Sequence, residues 1–231
     1  MKNVAIILGG GGGVRFGEST PKQFIILHGR RVIDYSIQTF HEHTKIDKII
    51  IVCHSNWIDV MKKEYPNHDV VNGGESRKDS SYNGLLACPK DTQNVFIHDS
   101  ARPFIDKDII SRCFSGLEKN KAVSTVLGST DTIVEVENNY IIDIPTRDRM
   151  FLVQTPQAFN YKTILNAHES FTGETTDDIR LVKKLGVNCY VIEGSVYNFK
   201  LTHPSDIYLA EIIAQSENQK RPDLKTINDS L

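Results

Sequence analysis

Five consecutive glycines, Gly9 to Gly13, separate the apolar run Val4-Ala5-Ile6-Ile7-Leu8 from two cations, Arg15 and, just after Pro21, Lys22. Glycine has no Cβ, so a chain leaving a strand through such a run can take positive φ angles and bring several backbone N–H groups close to one anion. Spacing separates the phosphate loops that could use it. A dinucleotide loop needs Gly-x-Gly-x-x-Gly, and from Gly9, Gly10 or Gly11 the last place falls on Val14, Arg15 or Phe16. A Walker loop needs lysine and then a hydroxyl residue after its second glycine, whereas Gly12 to Gly17 is followed by Glu18-Ser19. What remains is a backbone seat for phosphates with its cations supplied from beyond the loop. Two cations over a polyphosphate suit attack at phosphorus, where catalysis is mostly positioning and charge neutralisation. The alternative is a plain strand-to-helix turn with surface Arg and Lys, although five glycines cost backbone entropy that such a turn does not require.

Three further segments could join that chemistry. His98-Asp99-Ser100-Ala101-Arg102-Pro103 follows the apolar Val95-Phe96-Ile97, which puts Asp99 at a strand's carboxyl end. A carboxylate there can hold Mg²⁺ against phosphate oxygens, and Arg102 can either grip a phosphate bidentately or pair with Asp99 as a structural bridge. His98 reads as a packed, hydrogen-bonded residue with no chemical role. Gly73-Gly74-Glu75-Ser76-Arg77-Lys78-Asp79-Ser80 is a second glycine turn entering a helix. Backbone groups at Gly74 and the Ser80 hydroxyl suit a flat base or a ribose, while a capped helix start is the plainer reading. Asn198-Phe199-Lys200-Leu201-Thr202 offers Lys200 as a third cation for a substrate phosphate, or as a solvated lysine. Arg147 precedes Gln154-Thr155-Pro156-Gln157 and could be delivered into a neighbouring site. No Ser/His/Asp set, Cys/His pair or paired acid–base carboxylates stands out, so the implied chemistry is direct displacement without a covalent enzyme intermediate.

Positioning these groups takes an alternating scaffold. Val4–Leu8, Lys48–Cys53, Val70–Asn72, Val95–His98, Ala122–Leu127 and Asn188–Ile192 read as strands, several apolar without alternation, as expected when both sheet faces are covered. Helices are expected over Arg31–His43, Arg77–Ala87, Asp106–Lys119, Thr176–Leu185 and His203–Ser216, the last with Pro204 in its first turn and Leu209, Ile212 and Ile213 facing inward. This is an α/β pattern with a mostly parallel sheet and ligands at the strands' carboxyl ends. Thr132–Glu137 and Tyr140–Ile144, around Asn138-Asn139, read instead as a β-hairpin, which is marginal alone and must pack on its own domain or on a second subunit. At 231 residues the chain fits one domain over 1–216, with an arm near 130–150 and a polar, mobile tail over 217–231. With 27 basic and 29 acidic residues, nucleic acid is not a favoured partner, and no apolar stretch reaches the roughly 18 residues that span a bilayer, so a cytoplasmic protein is expected. Cys53, Cys88, Cys113 and Cys189 are scattered as core thiols.

Taken together, the glycine loop with Arg15, Pro21-Lys22-Gln23, Gly74-Glu75-Ser76-Arg77 with Ser80, His98-Asp99-x-Ala101-Arg102-Pro103, Gln154-Thr155-Pro156-Gln157 and Asn198-x-Lys200-x-Thr202 resemble the sugar- and polyol-phosphate cytidylyltransferases, in the family's order from about Asn3 to Ala214. The resemblance implies a Rossmann-like, doubly wound sheet of the nucleotide-diphospho-sugar transferase type, with the hairpin as a dimerisation arm. It implies that CTP and a polyol phosphate give a CDP-polyol and diphosphate by in-line attack on the α-phosphorus. Residues matching Arg15, Lys22 and Lys200 would be catalytic, and Asp99 would bind Mg²⁺. CTP would lie among Leu8, Gly9, Gly10, Gly11, Gly12, Gly13, Gly74, Glu75, Arg77, Ser80, Ala101 and Arg102. Arg102, Thr132, Arg147 and Lys200 would hold the polyol phosphate, with Thr132 and Arg147 arriving from the partner of a homodimer. Gly9 and Gly12 depart from the family loop, which usually carries other residues there. Asp131–Glu135, Asp143-Ile144-Pro145 and Tyr197-Asn198 look more like enzymes of ribitol 5-phosphate, whereas Ala101 and Thr176–Ile179 look more like enzymes of 2-C-methyl-D-erythritol 4-phosphate. The expectation leans to ribitol 5-phosphate.

Overall fold

A computed structural model describes residues 1–10, 21–173 and 175–217. Its centre is β1 (Lys2–Gly9), whose residues Val4 to Ile7 are fully buried because helices cover both faces of the sheet. Ala5 and Ile7 point to one core, while Val4, Ile6 and Leu8 point to the other. On one side β1 pairs in parallel with β4 (Lys48–Cys53), and β4 with β5 (Asp69–Asn72); on the other it pairs with β6 (Thr92–Asp99). β10 (Phe151–Asn160) then runs antiparallel between β6 and β7 (Ala122–Gly128), and β11 (Tyr190–Glu193) closes the edge in parallel with β7. The seven-strand order is β11-β7-β10-β6-β1-β4-β5, a mostly parallel α/β sheet. A ribbon of β2 (Ile26–Leu27) and β3 (Arg30–Arg31) lies outside it.

The strand β10 is the element the sequence pattern hides. Pro156 stands in its middle, and proline cannot donate to a ladder. Pairing with β7 shifts register between Val153 and Gln157, so the proline, after a cis Thr155–Pro156 peptide, sits where no ladder bond is needed.

The α-helices among the described residues are α1 (Val32–His41), α2 (Ile58–Glu64), α3 (Arg77–Leu86), α4 (Lys107–Leu117), α5 (Tyr161–Ser170), α6 (Asp178–Lys184) and α7 (Asp206–Glu217). Side-chain acceptors cap the starts of α3, α4 and α6. Ser76 and Asp79 form a capping box on α3, Asp106 accepts from Ile109 N at 2.7 Å on α4, and Asp177 accepts from Ile179 N at 2.9 Å on α6. α7 corrects the expected inward face. Ala210, Ile213 and Ala214 are buried against Leu27, Tyr35 and Leu201, whereas Leu209 and Ile212 are 50 % and 65 % exposed. The small alanines at i and i+4 let this helix approach closely, and that stripe excludes Leu209 and Ile212 from the contact. Pro204 lies in the turn before α7, which runs on to Glu217; residues 218–231 of the expected tail lie outside the described residues.

Between β7 and β10 the chain makes a separate hairpin, β8 (Glu135–Glu137) and β9 (Tyr140–Asp143). Asn138 and Asn139 take φ of 51° and 68°, the left-handed pair of a type I′ turn that matches strand twist. Val136, Tyr140, Ile141, Ile142 and Ile144 are each more than half exposed on this arm. All four cysteines are free, with Cys53 and Cys113 buried. Among the described residues no helix is long and apolar enough to cross a membrane.

Candidate active site

A cleft of about 360 Å³ opens at the carboxyl ends of β1 and β6. Leu8, Gly9 and Gly10 form one wall, Lys22 and Gln23 a second, Gly74 to Arg77 with Ser80 a third, and Asp99 to Ala101 with Lys200 the floor. The expected residues Gly11, Gly12, Gly13 and Arg15 lie outside the described residues. A larger hollow of about 880 Å³ lies at the opposite end of the strands, around Asn3, Asn94 and Asn160, away from these groups.

Local bonds explain why the walls meet. Ser100 Oγ donates to Leu8 O at 2.8 Å, which ties the exits of β1 and β6 together. Gln23 Nε2 donates to Gly9 O at 2.6 Å, anchoring the short turn that carries Lys22. Gly9 itself has little room for a side chain: a Cβ there would stand 3.2 Å from Val52 O and 3.3 Å from Ile33 Cδ1. Leu201 N donates to Ala101 O, and Leu201 O accepts from Lys22 Nζ, both at 2.8 Å. One buried leucine backbone therefore fixes Lys200 beside β6 and Lys22 above it.

Charge concentrates on Asp99. Its side chain is 11 % exposed, with Lys200 Nζ 2.6 Å from Oδ2 and Arg77 Nε 3.0 Å from Oδ1. Burial alone would raise the Asp99 pKa, but Arg77 and Lys200 outweigh it and hold the carboxyl well below the usual range. Burial likewise opposes the Arg77 charge, and Asp99 with Asp178 more than restores it. Among the described residues no group of three or more His, Cys, Asp or Glu could hold a metal ion. A cation here would therefore take most ligands from phosphates and water around one ionised carboxylate, which is how Mg²⁺ commonly binds, and Asp99 fits that part.

Other expected residues sit differently. Arg102 does not pair with Asp99: its Nη1 and Nη2 donate to the carbonyls of Asn198 at 2.8 Å and Val153 at 3.2 Å. Gly74 N donates to Ser80 Oγ at 3.0 Å, so the two groups meant for a base bind each other. Thr132 and Arg147 are exposed on the arm segment and line no part of this cleft. His98 is fully buried between Arg102 O and Thr155 Oγ1, and burial pushes its pKa down to about 4.

Sequence reasoning gave no function to the polar residues that brace the cleft. Thr155 Oγ1 accepts from Asp99 N at 3.0 Å, Asn198 Nδ2 donates to Thr155 O at 2.7 Å, and Gln157 Nε2 donates to both Asp177 oxygens at 2.9 Å. Asp178 Oδ2 accepts from Arg77 Nη1 at 2.6 Å. The signal available was Gln154, Thr155 and Gln157 inside an apolar strand, where buried polar groups need partners.

Comparison with known proteins agrees with this fold. The family model for IspD, 2-C-methyl-D-erythritol 4-phosphate cytidylyltransferase, matches residues 3–216. A relative of that name from Clostridium botulinum (strain 657 / Type Ba4) is 36 % identical over 224 residues, covering 93 % of this chain and 98 % of the relative. One from Thermotoga neapolitana is 35 % identical over 217 residues, covering 92 % and 97 %. The crystal structure of 4-diphosphocytidyl-2C-methyl-D-erythritol synthase from Anaerococcus prevotii superimposes with a TM-score of 0.82 at 30 % identity, covering 93 % of this chain and 96 % of that one. These matches turn the expectation away from ribitol 5-phosphate. The text that suggested ribitol lies partly on the exposed arm, whereas Ala101 and Asp178, which suggested methylerythritol, stand in the cleft and directly behind it. A cytidylyltransferase scaffold, a cleft at the strand exits and these relatives converge: the chain belongs to the IspD family of 2-C-methyl-D-erythritol 4-phosphate cytidylyltransferases, a family of nucleotidyltransferases.

Proposed function

We propose that the protein transfers the cytidylyl group of CTP to 2-C-methyl-D-erythritol 4-phosphate. A phosphate oxygen of the polyol attacks the α-phosphorus, a new P–O bond forms, and the bond to the β-phosphate oxygen breaks to release diphosphate. The observation that carries this reading is the meeting of Lys22, Lys200 and Asp99 around one cleft at the strand exits. Lys22 and Lys200 place two cations where charge grows on the five-coordinate phosphorus, with Arg15 as the third from the glycine loop. The backbone of Leu8 to Gly13 seats the triphosphate, and Gly74, Glu75, Arg77, Ser80 and Ala101 surround the nucleoside. Mg²⁺ held by Asp99 would neutralise phosphate charge. Arg102, Thr132 and Arg147 serve the polyol phosphate, the last two reaching the site of a second copy. The apolar residues exposed on the arm support that pairing, since such a surface is marginal in water without a partner.

Diphosphate release from CTP and Mg²⁺ with a panel of polyol phosphates tests the reading. Turnover is expected with 2-C-methyl-D-erythritol 4-phosphate at a kcat/KM at least about tenfold above ribitol 5-phosphate, the scale a few polar contacts provide. Equal or faster use of ribitol 5-phosphate would overturn the substrate, and faster use of UTP the nucleotide. Lys22→Ala should lower kcat by about a hundredfold or more if its charge meets the transition state.

A further inference from the structure

Behind Asp99 the side chains form a line of alternating character that leaves the cleft and enters the protein. Arg77 bridges two carboxylates, with Nε 3.0 Å from Asp99 Oδ1 and Nη1 2.6 Å from Asp178 Oδ2. His168 Nε2 lies 3.1 Å from the other oxygen of Asp178. At the cleft the Lys200 side chain is 38 % exposed and those of Asp99 and Arg77 are 11 % and 20 % exposed, whereas at the inner end Asp178 and His168 are 1 % exposed each. An ionised carboxylate only accepts, so His168 carries a hydrogen on Nε2 and donates it to Asp178. Its Nδ1 is buried without a hydrogen-bond partner among the described residues, and Tyr82 stacks on the imidazole at 5.7 Å with planes 13° apart. Thus α3 supplies Arg77 and Tyr82, α5 supplies His168, and α6 supplies Asp178.

Stability alone is a poor reason for such a line. Buried charges must recover a large desolvation cost, and apolar residues of the same volume often hold a core as well. What the line does achieve is direction. A guanidinium gripped at Nε and Nη1 cannot rotate, and the carboxylate facing its Nε is fixed in turn.

We infer that Asp178 and His168 are positioning residues for cytidylyl transfer: by locking Arg77 they aim the Asp99 carboxylate, and with it Lys200, into the cleft. This rests on the reading of Asp99 and Lys200 given above.

The test uses the full chain with Asp178→Asn, His168→Phe and His168→Gln. Phenylalanine keeps the stack on Tyr82 but loses the donor, whereas glutamine keeps a donor. Asp178→Asn should lower kcat about ten- to hundredfold, the usual effect of removing a group that orients a contacting residue, with KM for the polyol phosphate within about twofold. His168→Phe should lose less, and His168→Gln should regain at least about half of that loss on a logarithmic scale. The double variant Arg77→Gln/Asp178→Asn should be no slower than Arg77→Gln alone, because both lesions act through one group. Equal kcat for His168→Phe and His168→Gln, or a double variant whose loss is the product of the single losses, would overturn the inference. If Asp178→Asn does not fold, the His168 pair decides by itself. If the wild-type chain turns over no polyol phosphate, the substrate reading fails while calorimetric CTP binding still judges the line: Asp178→Asn should weaken it by about fivefold or more, and unchanged binding would overturn the inference.

Discussion

Replacing Asp99 by Asn removes one charge and almost no volume, which makes it a direct probe of the cleft. The amide offers one acceptor and one donor group, so only one of Arg77 and Lys200 can keep a favourable partner. The cost follows from where each cation can go. Breaking a fully buried pair costs about 3–5 kcal/mol, and losing an exposed one costs about 0–1 kcal/mol. Arg77, at 20 % exposure, stays paired with Asp178, and Lys200, at 38 %, can turn to water. The net loss should lie between those limits, at about 2 kcal/mol. For a chain of this size that is a fall in melting midpoint of about 4–8 °C, measurable by circular dichroism. Lys200→Met should cost less, about 1 kcal/mol, since Arg77 still neutralises the carboxylate. In the diphosphate-release assay Asp99→Asn should reduce kcat by about a hundredfold or more. An unchanged midpoint with near wild-type kcat would refute the view that this charge organises the cleft. A lowered midpoint with full activity would confine Asp99 to stability and remove it from the reaction.

Three further outcomes follow from other parts of the molecule. If the arm delivers Arg147 to a neighbour, two inactive chains, Arg147→Ala and Lys22→Ala, should recover about a quarter of wild-type activity on random mixing, because half the dimers are mixed and each holds one intact site; demonstrated heterodimers without activity would put each site within one chain. Gly84→Ala should destabilise by about 1–3 kcal/mol despite its better helix propensity, because the added Cβ would stand 2.5 Å from Ile6 Cγ2 and force α3 off the sheet; a raised melting midpoint would refute that contact. His43, stacked on Phe114, is held below the ordinary histidine range by burial, with Lys45 and Lys107 adding to it. Its unfolded form therefore binds protons first, so its contribution to stability is full above about pH 6.5 and is lost as pH falls through the folded value. His43→Gln should flatten the stability slope between about pH 7 and pH 5 in urea titrations, and an unchanged slope would refute the assignment.

How much could be read in advance depended on whether a signal is local. The runs of β1, β4 and β6 were legible because two buried faces demand unbroken apolar residues, and Asp99 because it ends such a run. Lys22 and Lys200 stand further along the chain, and it is the backbone of Leu201 that brings both to the cleft. α5 was not legible, since it follows β10 directly and Asn160 makes no side-chain cap bond to announce it. α7 carried two apolar stripes, and only its neighbours Leu27 and Leu201 select the one that is buried. The same limit governs the cleft. Arg77 and Asp178 are separated by 101 positions, and Thr155 from Asp99 by 56. Nothing in their local sequence distinguishes a surface aspartate capping a helix from one that locks an arginine. What does distinguish Asp178 is that α5 and α3 close over it, leaving a buried carboxylate that must find donors. The burial that makes these residues invisible in the sequence is therefore also what obliges them to grip Arg77. A search for such residues in related chains should start from polar side chains beneath the helices that flank a strand exit, where a charge has no alternative partner.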